Sequence, residues 1–166
     1  VLVDRNSYQT YTASLYEAAS AYRWKGIKDT QKFEETLGGS VCLPIQEIIK
    51  GRNITFVQGT VNGLDFWSNE VKLENGDSVP YEYLVFALGA EIAFFGIQGA
   101  EKCCYALKTL QDSFRIRRKI EDSFSKAKNG ESIQIAIVGG GATGVEAAAE
   151  IATYTHRLAH DYKLNY

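Results

Sequence analysis

The sequence predicts an α/β protein, and three observations support this fold class. A short strand that ends on an acid opens the chain at residues 1–4. A series of strand-like segments separated by turn residues occupies 53–88. An apolar strand, a glycine-rich turn and an alanine-rich helix follow one another over 132–153. We therefore expect two nucleotide-fold units, both incomplete, with a β-meander between them.

The N-terminal part is predicted to contain a strand, a helix, an irregular stretch and a second helix. Residues 1–4 are apolar up to the final acid and indicate a strand. Apolar residues recur at helical spacing within 7–23, which predicts a helix. Residues 25–40 are polar and interrupted by glycine, so we expect a loop or a broken helix there. Pro44 is favoured in a first helical turn and is expected to open a short helix ending near Lys50.

The middle of the chain is predicted to be rich in strands. Asn75-Gly76 lies between two strand-like runs and is a strong hairpin signal. Residues 83–88 are nearly all apolar, as expected of a central strand covered on both faces. The remaining expected strands are 53–58, 60–67, 70–73 and 78–81.

A helix is predicted to begin after Thr109, because Thr109 and Asp112 have the spacing of a capping box. Asn129-Gly130 should end it, since glycine is common just past a helix. A basic run on this helix, at 115–119, is flanked by the acids Asp112, Glu121 and Asp122 and is expected to form a solvated face rather than to bind phosphate. The buried stripe is expected to consist of Ile116, Ile120, Phe124 and Ala127.

The glycines after the predicted strand 132–138 have the spacing of a dinucleotide-binding turn. Gly139 would permit the tight turn, Gly141 would let the backbone approach a pyrophosphate, and Gly144 would let helix and strand pack closely. The N–H groups at the start of the following helix would then face the phosphates. This context predicts a Rossmann-type nucleotide site; the alternative is a structural turn without a ligand.

A ribose-binding acid should follow such a turn at the end of the next strand. Asp161 has roughly the right spacing, but no strand separates it from the turn, so we expect it to be unrelated. NAD and NADP are therefore not distinguished. Asp4 lies at the end of the first strand, where the ribose-binding acid of a second Rossmann unit is expected. The glycine turn of that unit would precede residue 1. The alternative is that Asp4 is an acid with no binding role.

Composition excludes several other classes of protein. The 166 residues carry 18 basic and 20 acidic side chains, which argues against a nucleic-acid binder. No apolar run is long enough to span a membrane. The absence of methionine at position 1 indicates a piece of a longer protein. The odd set of cysteines (Cys42, Cys103 and Cys104) suggests reduced thiols without a metal site, and His156 and His160 are expected to be surface residues rather than metal ligands.

Several motifs run in family order over nearly the whole chain. They lie at residues 3–8, 15–19, 58–61, 81–99, 107–112 and 138–146. With these motifs the chain resembles the FAD/NAD(P) flavoproteins that have two dinucleotide-binding domains, and within them the type II NADH dehydrogenases (NADH:quinone oxidoreductases). The resemblance implies an α/β fold with two Rossmann-type FAD/NAD(P)-binding units.

The resemblance also implies cofactors and domains. FAD would bind residues 1–108, a partial domain with the β-meander, and NAD(P)H would bind 109–166, the start of a second domain. Asp4 would hold the FAD ribose, Val61 would meet the adenine region, and Glu146 would be the acid near the nicotinamide and flavin. The implied cofactor-binding positions are Asp4, Arg5, Val61, Ala87, Leu88, Gly89, Gly139, Gly141, Ala142, Thr143 and Gly144.

The implied activity is transfer of a hydride from NAD(P)H to flavin, with electrons passing to a quinone. The implied location is cytoplasmic, with peripheral contact at the inner face of the cell membrane made by parts outside this chain. A homodimer is also expected. The alternatives are a sulfide:quinone or disulfide reductase and a non-catalytic nucleotide-binding fragment. The isolated chain is expected not to oxidise NADH.

Overall fold

The computed structural model describes residues 1–23, 27–128 and 130–164. The chain forms two compact units, and each contains segments that are distant in sequence. The first unit consists of Val1–Gln9 and Cys42–Ala90, and the second of Thr10–Val41 and Glu91–Tyr166. Helices and strands are both present, which confirms the α/β class. The division into cofactor domains at residue 108 stays a prediction.

The first unit begins with a parallel strand pair. Strand β1 (Leu2–Asp4) pairs with β4 (Phe56–Gln58), so that Asp4 lies opposite Gln58. The predicted strand 53–58 is therefore limited to its last three residues. Strand β2 (Tyr8–Thr10) pairs with β3 (Cys42–Pro44). Pro44 precedes helix α3 (Ile45–Ile49), which confirms the predicted short helix.

The β-meander follows as predicted. Strands β5 (Val61–Asp65), β6 (Glu70–Leu73) and β7 (Ser78–Pro80) form an antiparallel sheet in chain order. The Asn75-Gly76 turn joins the last two strands, and Gly76 adopts a φ of +90°, which favours glycine. Leu73 on the inner face is only 2% exposed. The local turn signal was thus sufficient to predict this hairpin.

The predicted central strand at 83–88 is wrong, because this segment has no regular structure. Val85 is 85% exposed and Leu88 is 79% exposed. A central strand needs a hydrogen-bonded neighbour on each side and a packed layer on each face. No described strand of the first unit pairs with these residues. An apolar composition typical of a strand is therefore not sufficient to form one without strands that pair with it.

The second unit is helical. Helices α1 (Leu15–Ser20), α2 (Thr30–Val41), α5 (Leu110–Lys126) and α6 (Ala142–Tyr162) form it, with the short α4 at Ala100–Cys103. Helix α1 packs against both α5 and α6. The buried Ser113 hydroxyl donates to the Leu15 carbonyl, 2.8 Å away, and joins α5 to α1. The main cluster of buried side chains contains Ile120, Phe124, Ala147, Ile151, Tyr154, Leu158 and Ala159.

Two predictions for the N-terminal part are corrected. The helix expected over 7–23 is restricted to α1, because residues 8–10 pair as strand β2 instead. The irregular stretch expected over 25–40 contains the regular helix α2, although residues 25 and 26 lie outside the described part. The Asp29 carboxylate accepts a hydrogen bond from the Lys32 N–H at 3.1 Å and caps this helix. Burial of Phe33 then anchors it in the core.

The predicted strand 132–138 is also wrong, since these residues have no strand pairing. Ile133 packs partly against the helical core, whereas Val138 is 74% exposed. The reason is the same as for 83–88: strand propensity does not supply the neighbouring strands. The helix that follows the glycine turn is confirmed, because α6 runs through His160 to Tyr162.

The capping box at the start of α5 is confirmed. The Asp112 N–H donates to the Thr109 hydroxyl at 3.1 Å, and the Thr109 N–H donates to the Asp112 carboxylate at 2.9 Å. The predicted stripe is buried at Ile120 and Phe124 and partly buried at Ile116. The predicted helix end at Asn129 lies outside the described residues; α5 ends at Lys126.

We expect Thr109→Ala to lower the free energy of unfolding by about 1 kcal/mol, because the first turn of α5 loses its hydroxyl acceptor. Urea denaturation followed by circular dichroism measures this change. Thr153→Ala is the control, since Thr153 is an exposed residue inside α6 whose hydroxyl donates to the Ala149 carbonyl. Equal effects of the two substitutions would contradict a capping role for Thr109.

The basic run on α5 is not a uniformly solvated face. Arg117 is fully buried, with 0% of its surface exposed. Its Nη2 donates to the Glu34 carboxylate of α2 at 2.7 Å, and its Nη1 lies 3.0 Å from a Glu121 oxygen. Arg118, on the neighbouring exposed position, also binds Glu34. The expectation of a solvated face is therefore wrong for Arg117, because Glu34 compensates its charge in the interior.

Candidate dinucleotide-binding site

The glycine turn leads directly into the longest helix of the chain. Gly139 adopts a φ of +114°, a backbone conformation that side-chain-bearing residues rarely take. Gly141 is the N-cap of α6, and no side chain caps the helix. Its carbonyl accepts from the Val145 N–H at 3.0 Å, the first bond of the helix. The N–H groups of the first turn are therefore directed away from the helix, as an anion-binding terminus requires.

The three motif glycines differ in their surroundings. A Cβ on Gly144 would collide with the Gly139 carbonyl oxygen and lie 3.0 Å from its carbon. A Cβ on Gly141 would meet nothing within 4 Å. Gly144 therefore permits close packing of helix and turn, as predicted, while Gly141 leaves an open approach to the backbone. A pyrophosphate fits such an approach, because its oxygens accept hydrogen bonds from backbone N–H groups.

Glu146 lies on α6, four residues after the helix begins. Its side chain is exposed, as is that of Glu150 one turn later. Neither carboxylate forms a hydrogen bond or an ion pair within the described residues. Tyr16 of α1 is partly buried against the helical core. The structure thus brings Glu146 and the glycine turn together at one end of α6.

The other predicted ribose site lies in the first unit. Asp4 is half-buried at the carboxyl end of β1, and its carboxylate accepts from the Asn6 N–H at 2.8 Å. The Gly59 N–H donates to the Asp4 carbonyl at 2.9 Å, and the Gln58 amide donates to the Arg5 carbonyl at 3.2 Å. These contacts hold Asp4 and Arg5 beside the turn that leads to Val61. An acid at the end of a parallel strand is suited to bind ribose hydroxyls.

Ala87 and Leu88 end the irregular segment 83–88 of the first unit, and Gly89 follows it. All three are exposed, and Gly89 adopts a φ of +78°. No regular element or side-chain hydrogen bond fixes them in the described structure. Their predicted place near a flavin stays a prediction.

Two residues with well-defined surroundings were not in the predicted set. Arg117 shares a face with Ser113 and Ile120, at helical spacing, and this periodicity could have revealed its burial. Tyr16 lies within the motif 15–19, and its partial burial depends on the packing of α1 against the other helices. Distance in sequence explains why its position could not be deduced from local patterns.

The remaining candidate groups do not form a second site. Asp161 lies inside α6, not at a strand end, as predicted. His156 and His160 are exposed on the same helix. Cys103 and Cys104 are exposed at the end of α4, and none of the three cysteines forms a disulfide. The described residues contain no group of three metal-type side chains and no helix long and apolar enough to cross a membrane.

Comparison with known proteins identifies similar sequences over most of the chain. The sequence pattern of the family described as pyridine nucleotide-disulphide oxidoreductase matches residues 10–160. A "Type II NADH:quinone oxidoreductase" of Staphylococcus haemolyticus is 27% identical over 97% of this chain and 38% of its own length. An "External alternative NAD(P)H-ubiquinone oxidoreductase B1, mitochondrial" of Solanum tuberosum is 33% identical over 70% of this chain and 24% of its own length.

A solved structure extends the similarity to the fold. NDH2 of Plasmodium falciparum in complex with NADH superposes with a TM-score of 0.72 and 24% identity, over 98% of this chain and 34% of that chain. The resemblance predicted from the motifs is therefore confirmed, and so is the Rossmann-type α/β fold of an incomplete pair of units. The chain spans less than two fifths of the length of the relatives described above.

Proposed function

The chain belongs to the pyridine nucleotide-disulphide oxidoreductase family, and from this premise we propose that it is part of an FAD-dependent NAD(P)H dehydrogenase that passes electrons to a quinone. The observation that carries the proposal is the uncapped N-terminus of α6, which follows the open glycine turn. Both relatives named above are NAD(P)H:quinone-type oxidoreductases.

In this proposal the second unit holds the nicotinamide cofactor. The backbone of Gly139 and Gly141, with Ala142, Thr143 and Gly144 in the first turn of α6, binds the pyrophosphate through N–H groups and the positive end of the helix dipole. Glu146 follows within one turn, on the same end of the helix. Its carboxylate holds a proton or orients a neighbouring group near the reacting ring.

The first unit would hold FAD. Asp4 accepts hydrogen bonds from the ribose hydroxyls, Arg5 lies beside it, and the backbone of Val61 meets the adenine. Ala87, Leu88 and Gly89 would lie near the flavin. When bound, FAD and the nicotinamide supply the redox chemistry, and the protein supplies position and electrostatics.

The same proposal includes a quinone as the electron acceptor. It also includes a homodimer and peripheral contact with the inner face of the cell membrane. The printed name of the Staphylococcus haemolyticus relative supports a quinone acceptor. The acidic balance of the chain, with 20 acidic and 18 basic side chains, supports the absence of a nucleic-acid partner. We also propose a cytoplasmic location, because the nicotinamide donor would reach the protein as a soluble molecule at the inner face of the membrane.

The experiment that tests the function uses the full-length protein that contains these residues. The purified protein should carry FAD, and anaerobic addition of NADH or NADPH should bleach the flavin absorbance, which a quinone then restores. Bleaching by sulfide but not by NAD(P)H would assign the protein to the sulfide:quinone reductases. Retention of nucleotide without any flavin would indicate a binding module. The 166 residues alone are expected not to oxidise NADH.

Glu146→Gln should slow flavin reduction by NAD(P)H about tenfold, because the neutral amide no longer provides a carboxylate near the reacting ring. Stopped-flow absorbance of the flavin measures the rate. Glu101→Gln is the control, since Glu101 is an exposed acid on α4. An unchanged rate in Glu146→Gln would remove this residue from the site.

A further inference from the structure

Two adjacent cysteines lie at the end of the short helix α4. Cys103 is its last residue, and Cys104 follows as the C-cap with an extended backbone, at φ −91° and ψ 145°. The Cys103 N–H donates to the Gly99 carbonyl, and the Cys104 N–H donates to the Ala100 carbonyl, each at 2.9 Å. The helix therefore holds both backbone positions, and the separation of the two sulfurs is set by the side-chain rotamers.

Both thiols are accessible from solvent. Cys103 and Cys104 are exposed, and neither belongs to a disulfide. Within the described residues neither thiol forms a hydrogen bond or an ion pair. Free cysteine is among the most buried residue types, because its side chain behaves as a small apolar group. Packing therefore does not explain two exposed thiols side by side, and both sulfurs are open to a reagent.

The covalent geometry of neighbouring residues disfavours a disulfide between these thiols. Their Cα atoms are about 3.8 Å apart, whereas the Cα atoms of bridged cysteines are about 4.4–6.8 Å apart. An atom inserted between the sulfurs removes this mismatch. Two bonds of about 2.3 Å, the length of a zinc–thiolate bond, keep the sulfurs more than about 3 Å apart. Adjacent cysteines are therefore better suited to share one bound atom than to bond to each other.

The number of ligands limits which atom the pair can hold. The described residues contain no group of three His, Cys, Asp or Glu side chains that could bind a metal ion. A structural zinc ion needs four such ligands, so these residues do not provide a closed zinc site. Trivalent arsenic that carries one organic group needs two sulfurs, and soft thiolate ligands select soft acceptors of this kind.

We propose that Cys103 and Cys104 form a dithiol modification site for trivalent organic arsenoxides. The two thiols give up their protons, two sulfur–arsenic bonds form, and the arsenoxide oxygen leaves as water. Arsenic stays trivalent, so nothing is oxidised or reduced. The thiols form no site with side chains from elsewhere in the described chain, and the pair alone provides both ligands. This inference goes beyond the proposed function and does not depend on it.

Binding of phenylarsine oxide to the full-length protein, reduced beforehand with a phosphine, tests the proposal. Native mass spectrometry counts the arsenic retained in excess mercaptoethanol, a monothiol that displaces arsenic held by one sulfur. Cys103→Ser and Cys104→Ser should each retain one equivalent fewer than the wild type. The dissociation constant for that equivalent should rise at least about a hundredfold, because the second bond is no longer intramolecular.

Cys42→Ser is the matched control, since Cys42 lies in β3 and has no cysteine next to it in sequence. This variant should retain as much arsenic as the wild type, and dithiothreitol, a dithiol, should remove the arsenic that mercaptoethanol leaves. Wild-type retention in Cys103→Ser or Cys104→Ser would overturn the proposal. Loss of the same equivalent in Cys42→Ser would overturn it as well.

A measurement on the unmodified sequence makes the result independent of how the variants fold. Trypsin cleaves after Lys102 and Lys108, and the peptide 103–108 contains both cysteines and no other. After treatment of the wild-type protein, this peptide should carry one phenylarsenic group bonded to both sulfurs and should resist alkylation by iodoacetamide. A peptide that is alkylated at both cysteines would contradict the proposal, whatever the variants show.

Discussion

Glu34→Gln is expected to lower the free energy of unfolding of the chain by about 3 kcal/mol, because the buried Arg117 then keeps only Glu121 as a charged partner. Glu34 accepts hydrogen bonds from Arg117 at 2.7 Å and from Arg118 Nε at 2.7 Å. Arg117 is fully buried and also lies 5.1 Å from the centre of the Phe33 ring. A neutral amide cannot balance this guanidinium, so α2 should separate from α5 at a lower denaturant concentration.

Urea denaturation at neutral pH measures this effect, and Glu35→Gln is the matched control. Glu35 is the next residue along α2, is exposed, and accepts a hydrogen bond from the Gln31 side chain. Its substitution should change the free energy of unfolding by less than about 0.5 kcal/mol. Similar midpoints for the two variants would show that the buried ion pair contributes nothing to stability.

The ion pair also predicts the direction of the pH dependence. Burial raises the pKa of Glu34, but the hydrogen bonds from Arg118 and Arg117 outweigh it and hold the pKa below its ordinary value. The folded state therefore favours the ionised carboxylate. The ion pair contributes fully to stability above the pKa of a glutamate in the unfolded chain, about 4.3. This contribution is lost as the pH falls through the lower pKa that Glu34 has in the folded state. The difference between wild type and Glu34→Gln should shrink in that acidic window.

Gly144→Ala is expected to weaken NAD(P)H binding about a hundredfold, or about 2.8 kcal/mol. Its Cβ would collide with the carbonyl oxygen of Gly139, so the turn and the first turn of α6 must move apart. That movement disturbs the N–H groups which we propose bind the pyrophosphate. Backbone atoms cannot yield in the way that the end of a flexible side chain does.

Quenching of protein fluorescence during titration with NADPH or NADH measures the dissociation constant in the full-length protein. Gly39→Ala is the matched control, because Gly39 also lies in a helix and a Cβ there meets nothing within 4 Å. This variant should bind as the wild type does and should be at least as stable, since alanine favours helices. Wild-type affinity in Gly144→Ala would contradict the proposed pyrophosphate site.

The elements that sequence predicted correctly depend on neighbouring residues. The Thr109 capping box, the Asn75-Gly76 hairpin and the glycine turn before α6 each have their interacting groups within a few positions. Local signals of this kind contain both the donor and the acceptor, or both sides of a turn. These local elements are therefore present in the structure as predicted, because they do not depend on residues that are distant in sequence.

The errors concern partners that are distant in sequence. Residues 83–88 and 132–138 have strand-like composition, but strands require neighbours that local composition does not specify. Arg117 was expected to be solvated because its buried partner, Glu34, lies 83 positions earlier. The partial burial of Tyr16 against the helical core has the same origin. Helix α2 was missed for a different reason: its polar composition and the glycines Gly38 and Gly39 near its end interrupt the helical pattern.

The irregular segment 83–88 has a consequence for the behaviour of the chain at high concentration. Its sequence, Tyr-Leu-Val-Phe-Ala-Leu, contains no charge, proline or glycine, and Tyr83 is 91% exposed. Six-residue windows of this composition stack readily into cross-β zippers when they are accessible. Two of the residues that the resemblance places beside a flavin, Ala87 and Leu88, thus lie in an exposed segment of this kind, and a partner that covers it would suppress fibril formation.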